Sequence, residues 1–135
     1  MTSANLTEIA RMFLVEMQDC VRFVDYERAR PLFAEDVVAF GTFARVVEGR
    51  GRLEHEQWHN VWPAIGDFTF RLDELRVLGT AEAICAVVPW DSTGKREDGQ
   101  PFSRPGRATL LLVPREGRWV AAHSHFSLAP APARG

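Results

Sequence analysis

Two histidines near the C-terminal end of the chain are suited to acid–base chemistry. His123 and His125 lie in residues 118–128, R-W-V-A-A-H-S-H-F-S-L, and this composition, after a turn at Glu116-Gly117, predicts a β-strand. Because alternate side chains of a strand share a face, both imidazoles are expected on the face that also carries Trp119, Ala121 and Ser127. Histidine titrates near neutral pH, so the pair can donate or accept protons there.

A cation and a hydroxyl are expected beside these histidines. Residues 107–114, R-A-T-L-L-L-V-P, predict a strand that pairs with 118–128 through a short turn, which brings Arg107 and Thr109 towards His125. Arginine binds carboxylates through two parallel N–H groups. We therefore predict a carbonyl or carboxylate site with His125 as acid/base, Arg107 holding the developing anion, and His123 and Thr109 in the lining. The alternative is that the histidines are structural groups at a subunit contact and Arg107 is solvated.

Aromatic residues supply candidate walls for such a pocket. Trp62 and Trp90 each adjoin a proline near the end of an element, where pockets open, and Phe13 and Phe40 are further candidates. An ordinary hydrophobic core is the alternative for each of them.

The sequence also contains a literal H-E-x-x-H, His55 to His59, the pattern in which zinc hydrolases hold their metal. The helix around it is short, and no third ligand follows. Glu54, Glu56 and Gln57 are expected on its solvent face, with Trp58 and Trp62 facing inwards. We predict no metal and no cofactor.

Length and composition fit one soluble domain. The chain has 135 residues, 46% hydrophobic and 25% charged, with a net charge of −2. This charge gives no electrostatic reason to expect nucleic acid or an anionic membrane as a partner. The first residues lack the pattern of a signal peptide, and no apolar run of about 18 residues could span a membrane. A cytoplasmic location is expected.

Hydrophobic spacing predicts the elements that position these residues. Steps of three and four indicate helices, alternation indicates strands, and Gly, Pro and Asp-Gly mark turns. The expected helices are 5–25, 25–34 with a kink at Pro31, and 51–66; the expected strands are 37–42, 45–48, 68–78, 81–90, 107–114 and 118–128. Residues 91–104 are expected to form a long, solvated hairpin tip, and 129–135 a flexible Pro/Ala tail after a single domain of residues 1–128.

Late consecutive strands joined by short turns favour an antiparallel meander, and the early helices must cover one of its faces. The predicted fold is therefore α+β, with a curved, mostly antiparallel sheet that holds a cavity behind helices. The uncovered face needs a partner, so a homodimer is expected. The candidate residues for that face are Val120, Ala122, Phe126, Leu110 and Leu112.

Four segments carry a family resemblance: L-F-A-E-D-V-V-A-F-G-T, V-E-G-R-G-R-L, R-A-T-L-L-L-V and E-G-R-W-V-A-A-H-S-H-F-S. They resemble the nuclear transport factor 2-like superfamily, in particular its SnoaL-like branch, and the last is also similar to the association domain of calcium/calmodulin-dependent kinases. The resemblance spans residues 5–128. It implies a cone-shaped, cystatin-like α+β fold with a pocket between the first helix and the concave sheet, usually in a dimer.

The family includes isomerases, cyclases, dehydratases and non-catalytic association modules. Its ketosteroid isomerase-like members need an aspartate base just after the position of Glu35-Asp36, where this chain has Val38-Ala39-Phe40-Gly41. They also use a tyrosine that the lone Tyr26 does not match. Cyclase-like members pair an aspartate with a histidine, and here Asp91 or Asp73 is the candidate acid. The resemblance implies a binder of a small apolar carbonyl or carboxylate compound, either a cofactor-free isomerase, cyclase or dehydratase or a non-catalytic ligand-binding or oligomerisation module.

Overall fold

The computed structural model describes residues 2–131. The N-terminal part of the chain is helical. Helix α1 spans Ser3–Arg22, α2 spans Tyr26–Ala29 and passes into a 3-10 turn at Arg30–Leu32, as the expected kink at Pro31 requires. A third helical segment, α3, runs through residues 50–64 and includes a π-helical stretch at Glu54–Trp58. All three predicted helical regions are confirmed.

Helix α1 forms because its apolar residues repeat at helical spacing and its ends are capped. The Thr2 hydroxyl accepts a hydrogen bond from the Asn5 N–H over 3.2 Å, which satisfies one of the free N–H groups of the first turn. One face of the helix is buried against the sheet, through Leu6, Ala10, Phe13, Leu14, Met17, Cys20 and Val21. This face covers the inner side of the sheet.

Eight strands form one curved, open sheet. They are β1 (Phe33–Phe40), β2 (Val47–Glu48), β3 (Gly66–Phe70), β4 (Arg76–Thr80), β5 (Ala83–Lys95), β6 (Pro101–Ser103), β7 (Gly106–Arg115) and β8 (Arg118–Leu128). The order is β2-β1-β8-β7-β5-β3, with β4 and β6 also paired to β5. All pairs are antiparallel except β1 with β8. The predicted α+β class with a mostly antiparallel sheet is confirmed.

Two expectations about the middle of the chain are wrong. Residues 68–78 are not one strand, because a 3-10 turn at Leu72–Glu74 divides them, so β3 pairs with the later half of β5 and β4 with its earlier half. Residues 91–104 are not a loop, because β5 continues to Lys95 and pairs with β6. The real tip is the short turn at residues 96–100.

A β-bulge in β8 decides which side chains face the helices. Leu111 pairs with His123 but Leu112 pairs with Ala121, so Ala122 is an extra residue without a partner. The alternation is therefore interrupted: Ala121 and Ser124 both face the core, while His123 faces outwards. The expectation that Ala121 shares a face with His123 is wrong for this reason.

The expected dimer face is also wrong. Leu110 and Leu112 are fully buried in the core between α1 and the sheet, and Phe126 faces the same side. The opposite, outer face of the sheet carries the exposed apolar side chains instead, including Val38, Leu78, Val87 and Leu111.

Residues 129–131, after β8, have no regular secondary structure. The Ala129 N–H donates to the Pro105 carbonyl over 3.0 Å. The last part of the predicted tail, residues 132–135, lies outside the described residues. No helix in residues 2–131 is long and apolar enough to cross a membrane.

Candidate functional site: a cavity with one polar end

A narrow cavity lies between the inner face of the sheet and helices α1 and α3. Its volume is about 40 Å³, small beside the roughly 300–1,000 Å³ of pockets that hold drug-sized ligands. Aromatic side chains dominate its walls: Phe33, Trp58, Trp62, Phe68, Trp90 and Phe126. Such a space favours a slender, flat, largely apolar molecule, which would have to push some of these side chains apart.

Arg104 supplies positive charge to the polar end of the cavity. It follows β6, and its backbone N–H donates to the Ser92 carbonyl over 2.8 Å, which fixes where its side chain begins. One guanidinium nitrogen donates to the Thr42 hydroxyl over 3.1 Å, and another lies 3.4 Å from the Ser92 hydroxyl. The guanidinium also lies over the Trp90 ring, 5.5 Å from its centroid, a cation–π arrangement.

No acid in the described part of the chain balances the charge of Arg104. Within residues 2–131, none of the ion pairs involves this half-buried side chain. Burial lowers the pKa of the Arg104 guanidinium below its usual range, because desolvation disfavours the charged form. Arginine nevertheless stays protonated in proteins, so the cavity contains a partly dehydrated cation.

Gln57 holds the loop that carries Thr42. Its Oε1 atom accepts from the backbone N–H groups of Phe43 and Ala44, over 3.0 and 2.7 Å, and its Nε2 atom donates to Thr42 Oγ1 over 3.0 Å. The side chain is buried, which corrects the expectation that Gln57 faces solvent. Trp58 and Trp62 face inwards, as expected.

One further polar group of the cavity lining is buried without a protein partner among the described residues. It is the Nε1 atom of Trp90, which has no hydrogen-bond acceptor within residues 2–131. Buried polar groups are normally paired, so this N–H is available to an acceptor atom of a ligand. Ser124 also lines the cavity and is 2% exposed.

The predicted pocket walls are found in part. Trp62 and Trp90 line the cavity. Phe40 borders it at the end of β1, but its ring lies on the outer face of the sheet, against His123 and His125. Phe13 is buried in the core, where its ring packs edge-on against Phe33 at 6.3 Å between centroids, and it is not among the cavity-lining residues.

The predicted polar residues come together, but on the outer face of the sheet. Thr109 pairs with His125, and Arg107 pairs with Ser127 and donates from Nε to its hydroxyl over 3.2 Å. With Glu74 and Arg76, these residues line a shallow, exposed groove rather than the cavity. The reason is strand alternation: the side chains of residues 108, 110 and 124 face the core, so those of residues 107, 109, 123 and 125 point to the outer face.

His123 lies beside this groove, with Nδ1 at 2.7 Å from the Val38 carbonyl oxygen. The Phe40 ring meets both imidazoles edge to face, at 5.6 and 5.2 Å between centroids. Asp91, the suggested acidic partner, is held by Arg71 over 2.7 Å.

Arg104 and Gln57 are site residues that the sequence expectations did not include. The signal for Arg104 was the Asp98-Gly99 turn: a hairpin counted back from it extends both flanking strands and places Arg104 near Ser92 and Trp90. For Gln57 the signal was its position four residues after Leu53, an apolar residue on the inward face of the helix.

The histidines of the H-E-x-x-H sequence contact other side chains on the surface of α3. His59 Nε2 lies 3.0 Å from Glu54 Oε2, and the His55 ring stacks edge-on against His59. Within residues 2–131, no group of three or more His, Cys, Asp or Glu side chains could hold a metal ion.

The sequence matches the model of the SnoaL-like domain over residues 11–132. The chain belongs to the SnoaL-like domain family. No curated protein is significantly similar to it in sequence.

Solved structures of this fold superpose over nearly the whole chain. A nuclear transport factor 2-like superfamily protein from Salmonella enterica matches with a TM-score of 0.80 at 16% identity, over 99% of this chain and 98% of that one. A ketosteroid isomerase-like protein from Erwinia carotovora matches with a TM-score of 0.77 at 16% identity, over 91% of this chain and 96% of that one. The association domain of calcium/calmodulin-dependent kinase II from C. elegans matches with a TM-score of 0.68 at 19% identity, over 92% of this chain and 95% of that one. At these identities the likeness shows the fold alone.

Proposed function

We propose that this SnoaL-like protein binds a small, largely apolar molecule that carries a carboxylate or carbonyl oxygen, with that oxygen against Arg104. The proposal is carried by one observation: a half-buried guanidinium at the polar end of an aromatic cavity, with no acidic partner within residues 2–131. A cation removed from water is costly unless an opposite charge or strong acceptors replace the lost hydration.

The hydrogen bonds of Arg104 leave room for such a ligand. A guanidinium has five N–H donors, and the side-chain hydrogen bonds of Arg104 within residues 2–131 go to two neutral hydroxyls, those of Thr42 and Ser92. The remaining donors match the planar, two-oxygen geometry of a carboxylate, which binds a guanidinium through parallel hydrogen bonds.

Binding is better supported than proton-transfer catalysis. A general base must come within hydrogen-bond reach of the proton it removes. The described residues that line the cavity include no carboxylate and no imidazole. Catalysis by His125 with Arg107 stays a prediction, and it would require a substrate on the outer face, where the groove is shallow and open.

A homodimer through the outer sheet face is the second part of the proposal. Cross-strand neighbours form an apolar row there: Leu78 pairs with Cys85, Cys85 with Leu111, and Leu111 with His123. Leu78 and Leu111 are 66% and 36% exposed. A second copy would cover this row, and the resemblance to an association domain supports self-assembly.

The ligand site is tested by titrating the protein with benzoate, a small flat carboxylate, and measuring heat by calorimetry. Arg104→Leu should abolish binding, because it removes the cation of the cavity. Arg107→Leu is the matched control, since that arginine lies on the outer face and should leave benzoate affinity unchanged. Loss of binding in the Arg107 variant, with binding retained in the Arg104 variant, would transfer the site to the outer groove and refute the proposal.

A further inference from the structure

We infer that the ligand is an ionised carboxylate, and that the Thr42 hydroxyl donates a hydrogen bond to it beside Arg104. This inference rests on the proposed function, which admits either a carboxylate or a neutral carbonyl next to Arg104. The observation that decides between them is the direction of the hydrogen bonds at Thr42, a residue of the cavity lining.

The loop after β1 fixes the orientation of the Gln57 amide. One end of the amide meets two backbone N–H groups, those of Phe43 and Ala44, over 3.0 and 2.7 Å. Because a backbone N–H can only donate, this end must be the amide oxygen, Oε1. The other end is therefore Nε2, which can only donate, and it lies 3.0 Å from Thr42 Oγ1. Gln57 thus occupies one acceptor site of the Thr42 hydroxyl.

Arg104 occupies the second acceptor site of the same hydroxyl. A guanidinium has no acceptor atom, so its 3.1 Å contact with Thr42 Oγ1 is a hydrogen bond from Arg104 to Thr42. A hydroxyl has two lone pairs and one proton, and both lone pairs of Thr42 are now occupied. Its proton is left to donate, and no hydrogen bond within residues 2–131 has this hydroxyl as its donor. Thr42 is partly exposed, so water can accept this proton until a ligand replaces it.

Thr42, Gln57, Arg104 and Trp90 together present donors to a ligand and no free acceptor. Both lone-pair sites of Gln57 Oε1 are taken by the two backbone N–H groups, and Arg104 and Trp90 have no acceptor atom. An ionised carboxylate only accepts hydrogen bonds, so it matches this set. A protonated acid, an alcohol or a primary amide would place its own O–H or N–H donor against these donors.

The distance between the two donors suits one carboxylate group. Thr42 Oγ1 and the Arg104 nitrogen that donates to it are 3.1 Å apart, so a small group that reaches one also reaches the other. The two oxygens of a carboxylate have about four acceptor sites, enough for the guanidinium and the Thr42 hydroxyl together. Hydrogen bonds to a charged acceptor are about twice as strong as those between neutral groups. A ketone offers these donors a single uncharged oxygen and should bind more weakly.

The first test titrates the full chain with benzoate, benzamide and acetophenone by calorimetry. We expect the wild type to bind benzoate about tenfold or more tightly than either neutral compound. Thr42→Val, which replaces the hydroxyl with a methyl group, should lower benzoate affinity about tenfold or more, the effect of one hydrogen bond to a charged group. Thr42→Ser keeps the hydroxyl and should keep most of the affinity. Thr80→Val, at the exposed end of β4, is the matched control and should bind benzoate like the wild type.

The second test separates a direct contact from an indirect one, because Thr42→Val also removes the acceptor of Gln57 and Arg104. Proton NMR of the wild type with benzoate should show a Thr42 hydroxyl resonance protected from exchange with water, since the carboxylate replaces water as its acceptor. The resonance should be absent without benzoate, and its absence in Thr42→Val assigns it. A residue that only positioned Arg104 would give no such signal.

The outcomes separate this inference from the proposed function. Unchanged benzoate affinity in Thr42→Val, an equal loss in Thr42→Ser, or no protected hydroxyl resonance in the benzoate complex would overturn the contact to Thr42. Benzoate binding no tighter than that of benzamide or acetophenone would overturn the ionised carboxylate. In each case, loss of binding in Arg104→Leu still supports the ligand site. Absence of binding for all three compounds would overturn both. The ligand comparison uses the wild type, so it decides the ligand class even if Thr42→Val folds poorly.

Discussion

The Nε2 atom of Gln57 donates to Oγ1 of Thr42 over 3.0 Å, and the same hydroxyl accepts from Arg104 over 3.1 Å. One oxygen therefore joins α3, the loop after β1 and the bend between β6 and β7. Gly41 is required beside it, because a Cβ atom there would overlap the Gln57 side chain. The position of the cavity's cation thus depends on a glutamine that makes no contact with the guanidinium itself.

Replacing Gln57 with leucine should lower both stability and benzoate affinity. The substitution leaves the part-buried N–H groups of Phe43 and Ala44 without an acceptor, which costs about 1–3 kcal/mol of unfolding free energy. It also frees Thr42 and so loosens Arg104. Urea unfolding and benzoate calorimetry measure the two effects. Gln100→Leu, at an exposed turn, is the control and should change neither. Unchanged benzoate affinity in a folded Gln57→Leu protein would show that Arg104 does not depend on this contact.

A charge at the centre of the outer sheet face should separate the subunits. We expect the wild type to scatter light as twice the 15.2 kDa chain at micromolar concentration, and Leu111→Arg to behave as a monomer, because a dimer would bury two unpaired charges. Met12→Arg is the matched control: Met12 is 64% exposed on helix α1, away from the sheet. A wild-type mass of a single chain, or dissociation by the Met12 substitution instead, would contradict the outer-face dimer.

Most of the fold follows from local patterns in the sequence. Helical spacing predicted α1 and its buried face. The Glu116-Gly117 turn predicted the β7–β8 hairpin, and in the structure these two residues have the positive φ values of a tight turn, 52° and 80°. The divided strand at residues 66–80 was not predictable in this way. The 3-10 turn at Leu72–Glu74 depends on pairing with distant β5, where the Arg71 N–H donates to the Pro89 carbonyl over 2.9 Å.

The site was harder to predict because it depends on which face of β8 is covered. Alternation correctly placed His123 and His125 on one face, but alternation alone cannot say which face meets the helices. The bulge at Ala122 also has no sequence signal of its own, since it involves two consecutive alanines. Arg104 was read as solvated because its segment is rich in charged and turn residues, and its burial arises only when β6 pairs with β5 beside Trp90.

The ion pair between Glu54 and Arg30 should make stability depend on pH at the acidic end. Arg30 donates two hydrogen bonds to the Glu54 carboxylate, over 2.7 and 3.0 Å, and this contact, with a further one from His59, lowers the pKa of Glu54 to about 2. A depressed pKa in the folded state adds stability above the ordinary value of 4.5, and that contribution is lost as the pH falls towards 2.

Glu54→Gln should therefore lower the unfolding free energy at pH 7 by about 1–3 kcal/mol, a range reduced because Arg30 is half exposed and screened by water. The difference from the wild type should shrink steadily below about pH 4.5 and nearly vanish at about pH 2, since the wild-type carboxylate is then being protonated as well. Urea unfolding at pH 7 and at pH 2.5 measures this. Glu56→Gln is the control: its pair with Arg52 is exposed on both sides and should contribute at most about 0.5 kcal/mol at either pH. A Glu54→Gln deficit that is equal at both pH values would mean that the glutamate stabilises the helix through packing rather than through its charge.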